Sequence, residues 1–493
     1  MPLRPSIPPL SKSRFMSGLQ CHKRLWLQLF RPELAEEADA ATQAMLDQGS
    51  QVGALARGYY PGGELIDEDH QHLDQALTHT QRALGGAAPA LYEATVRHDD
   101  VLMRVDILAR AAKARFDLVE VKSSTQPKDE HYWDVAIQAY VAQGAGMSIG
   151  RKCLLLIDRD YVYPGGAHDL HKLFALYDVS REVDALVPQV PKLLEAMRAP
   201  LWEPTPPDMA IGAQCYTPYE CPFIGACHPP GPEHPVSDLY RVSQDLKDHL
   251  AQDGIAAIPD IPEDYPGLSA TNARIREAVI SGRPFMDGAI RVALRRLKSP
   301  VFFMDFETFS PAIPLYAGTR PYDTIPFQWS AHRIGAGGSV EHFEYLHEGT
   351  GDPRPEFART LLEALGTEGS VCVYSGFEAA RLNELRALLP ERAQAVDALL
   401  RRLVDLLPLV REHVYHPQFH GSYSIKSVYP ALVPKAGYDD LAISDGGMAS
   451  AAYPVLISPQ TPAKERKALR RDLLAYCQRD TQALLDLYRT LVS

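Results

Sequence analysis

Two carboxylates one residue apart, Asp305 and Glu307, follow the apolar run that opens VFFMDFETFS (301–310). Strand side chains repeat every second residue, so both acids leave one face and could share a cation. Buried charges without a partner cost free energy, so the alternative is a strand that ends in solvent. Further acids follow in order. SVCVYSGFEAARLNEL reads as a buried strand, a small turn and a helix opening with Glu378, and Asp405 stands at the head of the DLLPLVR stretch. Near the end, Tyr476 and Asp480 are spaced i,i+4 and share one helix face. Alone, that pair fits a solvated helix face equally well.

A second group lies near residue 100. Apolar alternation gives consecutive strands, ALYEATVR, VLMRVDILAR and FDLVEVKSS. Glu120 and Lys122 share a face of the last strand, Asp106 lies mid-strand before it, and Glu93 is a further candidate ligand. Asp and Glu from adjacent strands can hold a divalent ion through oxygen, and a lysine can position water. An amphipathic hairpin with a Glu/Lys pair on its wet face fits the same text. Cys215, Cys221 and Cys227 stand in CYTPYECPFIGAC with five residues in each gap, and Cys21 lies far upstream in GLQCHKRLW. Zinc ribbons favour gaps of two to four, so zinc fits less well. Cys153, Cys372 and Cys477 have apolar or helical contexts and read as core.

The elements that must position these groups fall into three parts. At 493 residues the chain has room for several cores. Proline clusters at 203–209, 228–235 and 258–266 mark seams. They place one domain over 1–232, a helical connector over 233–299 and a second domain over 300–493. A composition of 46% hydrophobic and 23% charged residues is that of a soluble protein. No apolar run nears the roughly 18 residues of a membrane helix, and the opening lacks a signal peptide's apolar segment, so a cytoplasmic protein without a membrane partner is expected. The net charge of −12 argues against indiscriminate nucleic-acid binding. That average hides residues 274–298, where seven Lys/Arg face two acids. The loop YHPQFHGSYSIKSV holds His416, His420, Ser422 and Lys426, to which no chemistry is assigned; such histidines are more often structural.

The strand pair with Asp106, Glu120 and Lys122, followed by the helix YWDVAIQAYVAQG with Gln138 and Tyr140, resembles the PD-(D/E)XK nucleases of RecB type. Gly53, in QGSQVGALARG, stands where such enzymes often carry a histidine. One distant cysteine with a later trio is similar to the iron–sulfur nucleases of AddB and Cas-four type. That resemblance implies a [4Fe–4S] cluster on Cys21, Cys215, Cys221 and Cys227, and Gln138 positioning DNA. The order D-x-E, strand–turn–acid, Y-x-x-x-D resembles the DnaQ-type DEDD exonucleases of RNase H-like fold, and DLLPLVR…SIKSV the RNase H-like domains that accompany RecB-type nucleases. It implies Mg²⁺ or Mn²⁺ held by Asp305, Glu307 and Asp480, with Glu378 where the family has Asp, Asp405 as a supplementary ligand and Tyr476 positioning water. The fold class implied is α/β: a restriction-endonuclease-like domain plus an RNase H-like domain. The function implied is exonucleolytic hydrolysis of DNA, single-stranded above all, or of RNA. The alternative is a nucleic-acid-binding or scaffold protein with one or both centres inactive.

Overall fold

The computed structural model describes residues 8–69, 71–112, 114–227, 231–335 and 337–493. It is mixed α/β, and its described residues divide into two units. One takes those of Met1–Pro229 and Pro311–Asp323, the other those of Pro230–Ser310 and Thr324–Ser493. No helix among them is long and apolar enough to cross a membrane.

In the first unit, α1 (Lys12–Gln20) and α2 (His22–Phe30) precede a mixed sheet. Its main strands are β1 (Ala90–His98), β2 (Val101–Ala112), β3 (Arg115–Lys122), β4 (Ser148–Ile157) and β5 (Phe174–Asp178), hydrogen-bonded in that order. β1, β2 and β3 form an antiparallel meander, whereas β3 and β4 run parallel. A parallel pair needs a crossover, and α3 (Asp129–Gly144) supplies it. Its residues Val135, Ile137, Ala139 and Val141 are fully buried in the core shared with Leu108, Leu118 and Leu154. The three strands read from the sequence coincide with β1, β2 and β3 to within two residues.

The second unit is built on five strands, β6 (Val301–Phe309), β7 (Ile325–Ile334), β8 (Val340–Leu346), β9 (Ser370–Val373) and β10 (Leu403–Asp405). Their order is β8-β7-β6-β9-β10, antiparallel on the β7 side of β6 and parallel on the β9 side. β6 is therefore central and buried on both faces, which its continuous apolar run anticipates. Phe302, Met304 and Phe306 enter one core, and Val301 and Phe303 enter the other. The stretch expected to be a separate connector belongs to this unit. Leu239, Leu250, Ile258, Ile275, Ile290 and Leu294 pack in one core with Phe303 and Leu485, and Phe285–Met286 pairs with Val414–Tyr415. Proline-rich text marks seams in the chain's direction there, not a break between cores.

Candidate functional site

Asp305 and Glu307 do not end a strand in solvent: β6 continues to Phe309, and Glu307 is buried. They continue the odd-numbered face of Val301 and Phe303, opposite Ser330 and Gln328 of β7. That face is covered by α8, the helix Ala463–Val492. It follows α4 (Phe377–Leu388), α5 (Leu406–His413), α6 (Ile425–Leu432) and α7 (Gly446–Ile457) along the chain. Polar ties pin α8 to the sheet. Gln328 Nε2 donates to the Leu473 carbonyl at 2.8 Å. Thr481 Oγ1 bonds Ser330 Oγ at 2.8 Å and His332 Nδ1 at 2.8 Å. Between those anchors, Tyr476 and Asp480 face Asp305 and Glu307 across one cavity of about 370 Å³.

Four carboxylates thus converge. Glu378, the second residue of α4, is 3% exposed and hydrogen-bonds Asp305. Burial raises the Asp305 carboxyl well above its ordinary range, and the charges of Asp480, Glu307 and Glu378 raise it further. Glu307 is raised by burial and by Asp480, with Lys426 opposing. Glu378 is pushed to about 7 by burial and by Asp405, and Asp480 to about 6 by burial. Among the described residues, no lysine or arginine lies within ion-pair distance of any of the four. Glu378 Oε2 is buried with no hydrogen-bond partner. An acid cluster with an orphaned oxygen and no paired cation fits a divalent metal, whose hard oxygen ligands these are.

Asp405 takes another part. It caps α5, accepting from the Leu407 amide at 2.9 Å, and acts on the cluster by raising Glu378. Three residues here were given no role from the sequence. Tyr438 donates its hydroxyl to Asp480 Oδ1 at 2.6 Å. Lys426 lines the cavity with Nζ 5.3 Å from the Tyr476 ring and donates to the Ser444 carbonyl at 2.8 Å. Cys477 puts its thiol within 4.8 Å of the ligand atoms of Asp305 and Glu307. Cys477 was read as core, and buried it is; its i,i+1 place beside Tyr476 was the available signal.

In the first unit, the structure brings Asp106, Glu120, Lys122 and Gln138 together. Asp106 Oδ2 accepts from the Val121 amide at 2.8 Å, a ladder position taken by a side chain. Glu120 is 1% exposed and fully engaged. Its Oε1 accepts from Lys122 Nζ and Lys12 Nζ, both at 2.7 Å, and its Oε2 from Gln138 Nε2 at 2.7 Å. Lys122 also bonds Asp134, which lies one helical turn before Gln138 on α3. Burial pushes Glu120 up, but the two ammonium groups outweigh it and lower the carboxyl below its ordinary range. Asp106 goes the other way, to about 7, through burial and the charge of Glu120. Lys12 and Asp134 were missed; Lys12 is the first residue of α1, and only the fold shows that it reaches β3.

Two candidates fall elsewhere. Glu93 pairs with Arg57 at 3.1 Å in a backbone of positive φ, where β1 departs from its register opposite Asp106. Tyr140 sits two residues from Gln138, hence on another helix face, and donates to Asp99 at 3.1 Å. Gly53 faces open space.

The four cysteines line one small cavity with Lys23, Arg24 and Met209. Cys21 closes α1 and opens α2, its amide bonding the Ser17 carbonyl at 2.9 Å. The neighbouring Gln20 side chain holds the later loop by donating to the carbonyls of Gln214 and Tyr219, both at 2.7 Å. The Cys221 amide bonds the Cys215 carbonyl at 2.8 Å. Burial raises the Cys221 thiol, and Cys21 and Cys227 add to it. Four free thiols around one hollow, with two cations on its wall, fit a thiolate-bound metal group.

A family model described as a domain of unknown function (DUF2779) matches residues 302–424. That span carries Asp305, Glu307, Glu378 and Asp405 and stops short of Lys426, Tyr476 and Asp480. No curated protein matches the chain at a significant level.

Proposed function

We propose that the chain is a metal-dependent nuclease that hydrolyses phosphodiester bonds at the Asp305–Glu307–Glu378–Asp480 cluster. The observation that carries this reading is the convergence of four acids, three of them buried, none of which has a lysine or arginine at ion-pair distance among the described residues. Asp305, Glu307 and Asp480 would hold Mg²⁺ or Mn²⁺, with Glu378 completing the set. When bound, two such ions stabilise the attacking and leaving oxygens of an in-line displacement. The Tyr476 hydroxyl, raised in pKa by burial and by the charge of Asp480, stays protonated and orients water. Lys426 supplies a positive charge at the cavity wall for the scissile phosphate. Phe377, exposed beside Glu378, offers a face on which a nucleobase can stack. The mixed sheet with its acids on the central strand supports the RNase H-like reading.

The Asp106–Glu120–Lys122 group supports a second centre of PD-(D/E)XK type, and the thiol cavity a [4Fe–4S] cluster held by Cys21, Cys215, Cys221 and Cys227. Such a cluster joins the two ends of its domain. One observation favours a binding role over cutting in this unit: Glu120 already has three donors.

End-labelled single-stranded DNA and RNA incubated with Mg²⁺ or Mn²⁺ test the reading. Wild type is expected to shorten the DNA progressively, Asp305→Ala to lose that ladder, and Lys122→Ala to keep it. No cutting by wild type leaves the scaffold alternative standing. Anaerobically purified protein is expected to be brown, with broad absorbance near about 400 nm; colourless protein with stoichiometric zinc refutes the cluster.

A further inference from the structure

We infer that His234, Asp238 and His420 form a separate site for a divalent transition-metal ion within the second unit. Each offers one ligand atom, and the three atoms lie within 4.8 Å of one another. His420 Nδ1 stands 3.1 Å from Asp238 Oδ2. Two donors bound at about 2.0–2.1 Å to one ion lie about 2.9–3.4 Å apart, so this pair is already at ligand spacing. The imidazoles of His234 and His420 stack with centroids 5.1 Å apart and planes 23° from parallel. His234 Nδ1 is buried and has no hydrogen-bond partner. A buried ring nitrogen with nothing to bond asks for a ligand, and neither Asp238 nor His420 supplies it.

The backbone holds all three residues firmly. The His234 carbonyl accepts from the Ile258 amide at 2.8 Å, and the Val236 amide donates to the Ala256 carbonyl at 3.0 Å. Asp238 ends a single 3₁₀ turn begun at Val236. His420 has a φ of +46°, a conformation that costs a non-glycine residue free energy and that persists only where surroundings enforce it. Gly421 lets the loop come that close: a Cβ there would lie 2.1 Å from the Asp238 carbonyl oxygen. The arrangement joins the text at 234–238, read as connector, to the loop at 416–421.

Two imidazoles and one carboxylate select a borderline ion such as Zn²⁺ or Co²⁺ over Mg²⁺ or Ca²⁺, which prefer oxygen alone. The site is independent of the nuclease reading and does not depend on its outcome.

Chelator-treated full-length protein, kept in excess Mg²⁺, can be titrated with Co²⁺ and followed by visible absorption. Wild type is expected to bind one more equivalent than His234→Ala or His420→Ala. That equivalent should carry weak d–d bands without the thiolate charge-transfer absorption that cobalt at the cysteine cavity would give. Zn²⁺ should displace it and raise the Tm of wild type but not of His420→Ala. His420 is half exposed, so this variant keeps its fold, which circular dichroism checks. Equal stoichiometry and less than a threefold change in affinity between wild type and both variants would overturn the site.

Discussion

At the scale of the residue, the acid cluster is expensive in the absence of metal. The folded carboxyls of Glu378 and Asp480, at about 7 and about 6, lie above unfolded values of about 4.3 and 3.9. The folded state therefore binds more protons between those limits. Stability from these groups is intact below about pH 4 and is lost as pH rises towards 7. Glu378→Gln should accordingly stabilise metal-free protein at pH 8, by about 1–3 kcal/mol in urea unfolding, while activity falls at least tenfold. Mn²⁺ binding between about pH 6 and 7 should release protons, seen calorimetrically as a dependence on buffer ionisation enthalpy. Lys12→Met is expected to act oppositely, costing about 1–2 kcal/mol at neutral pH by leaving buried Glu120 with one ammonium fewer. A rise in stability there would contradict the pairing.

At the scale of the element, the site depends on α8 lying in one register over β6. Thr481 and Gln328 set that register, while a Cβ placed on Gly446 at the start of α7 would lie 3.9 Å from Glu307 Oε2 and 4.0 Å from Tyr476 Oη. Its φ lies outside the left-handed region, so a larger side chain is tolerated by the backbone and would project into the cavity. Gly446→Leu should abolish cutting with a Tm change under about 3 °C; unchanged activity would remove this cavity from the reaction. This is also where legibility in sequence stops. The strand around Asp305, the Glu378 turn and the i,i+4 pair on α8 were readable because period and spacing are local properties. Asp106, Glu120 and Lys122 were readable for the same reason, and Gln138 through the resemblance to RecB-type nucleases. Lys12, Asp134, Lys426 and Tyr438 were not. Each meets its site from another segment, and nothing in the surrounding text marks any of these side chains as aimed inward. Glu93 and Tyr140 failed for a related reason: a positive φ and a helical offset turn their side chains elsewhere.

At the scale of the molecule, the proline-rich stretches suggested three parts, whereas the described residues divide into two units. A fragment of residues 231–493, with 311–323 replaced by a short Gly/Ser linker, should fold cooperatively. One starting at 300 should not, because it lacks Leu250, Ile258, Ile275 and Ile290 from its core. Urea denaturation followed by circular dichroism distinguishes them, and a sharp transition in the shorter fragment would restore the independent connector.

The division of the chain also bears on how the protein is made. Ala312, Ile313 and Tyr322 pack in a core of the first unit, yet they lie beyond β6 of the second. A ribosome that has finished residue 229 must add about 94 more before the first unit can close, a wait of roughly 5–19 s at ordinary elongation rates. By then β6, with Asp305 and Glu307, has also been synthesised. The first unit therefore cannot be completed before the second has begun, and the nascent chain carries two unfinished cores at once.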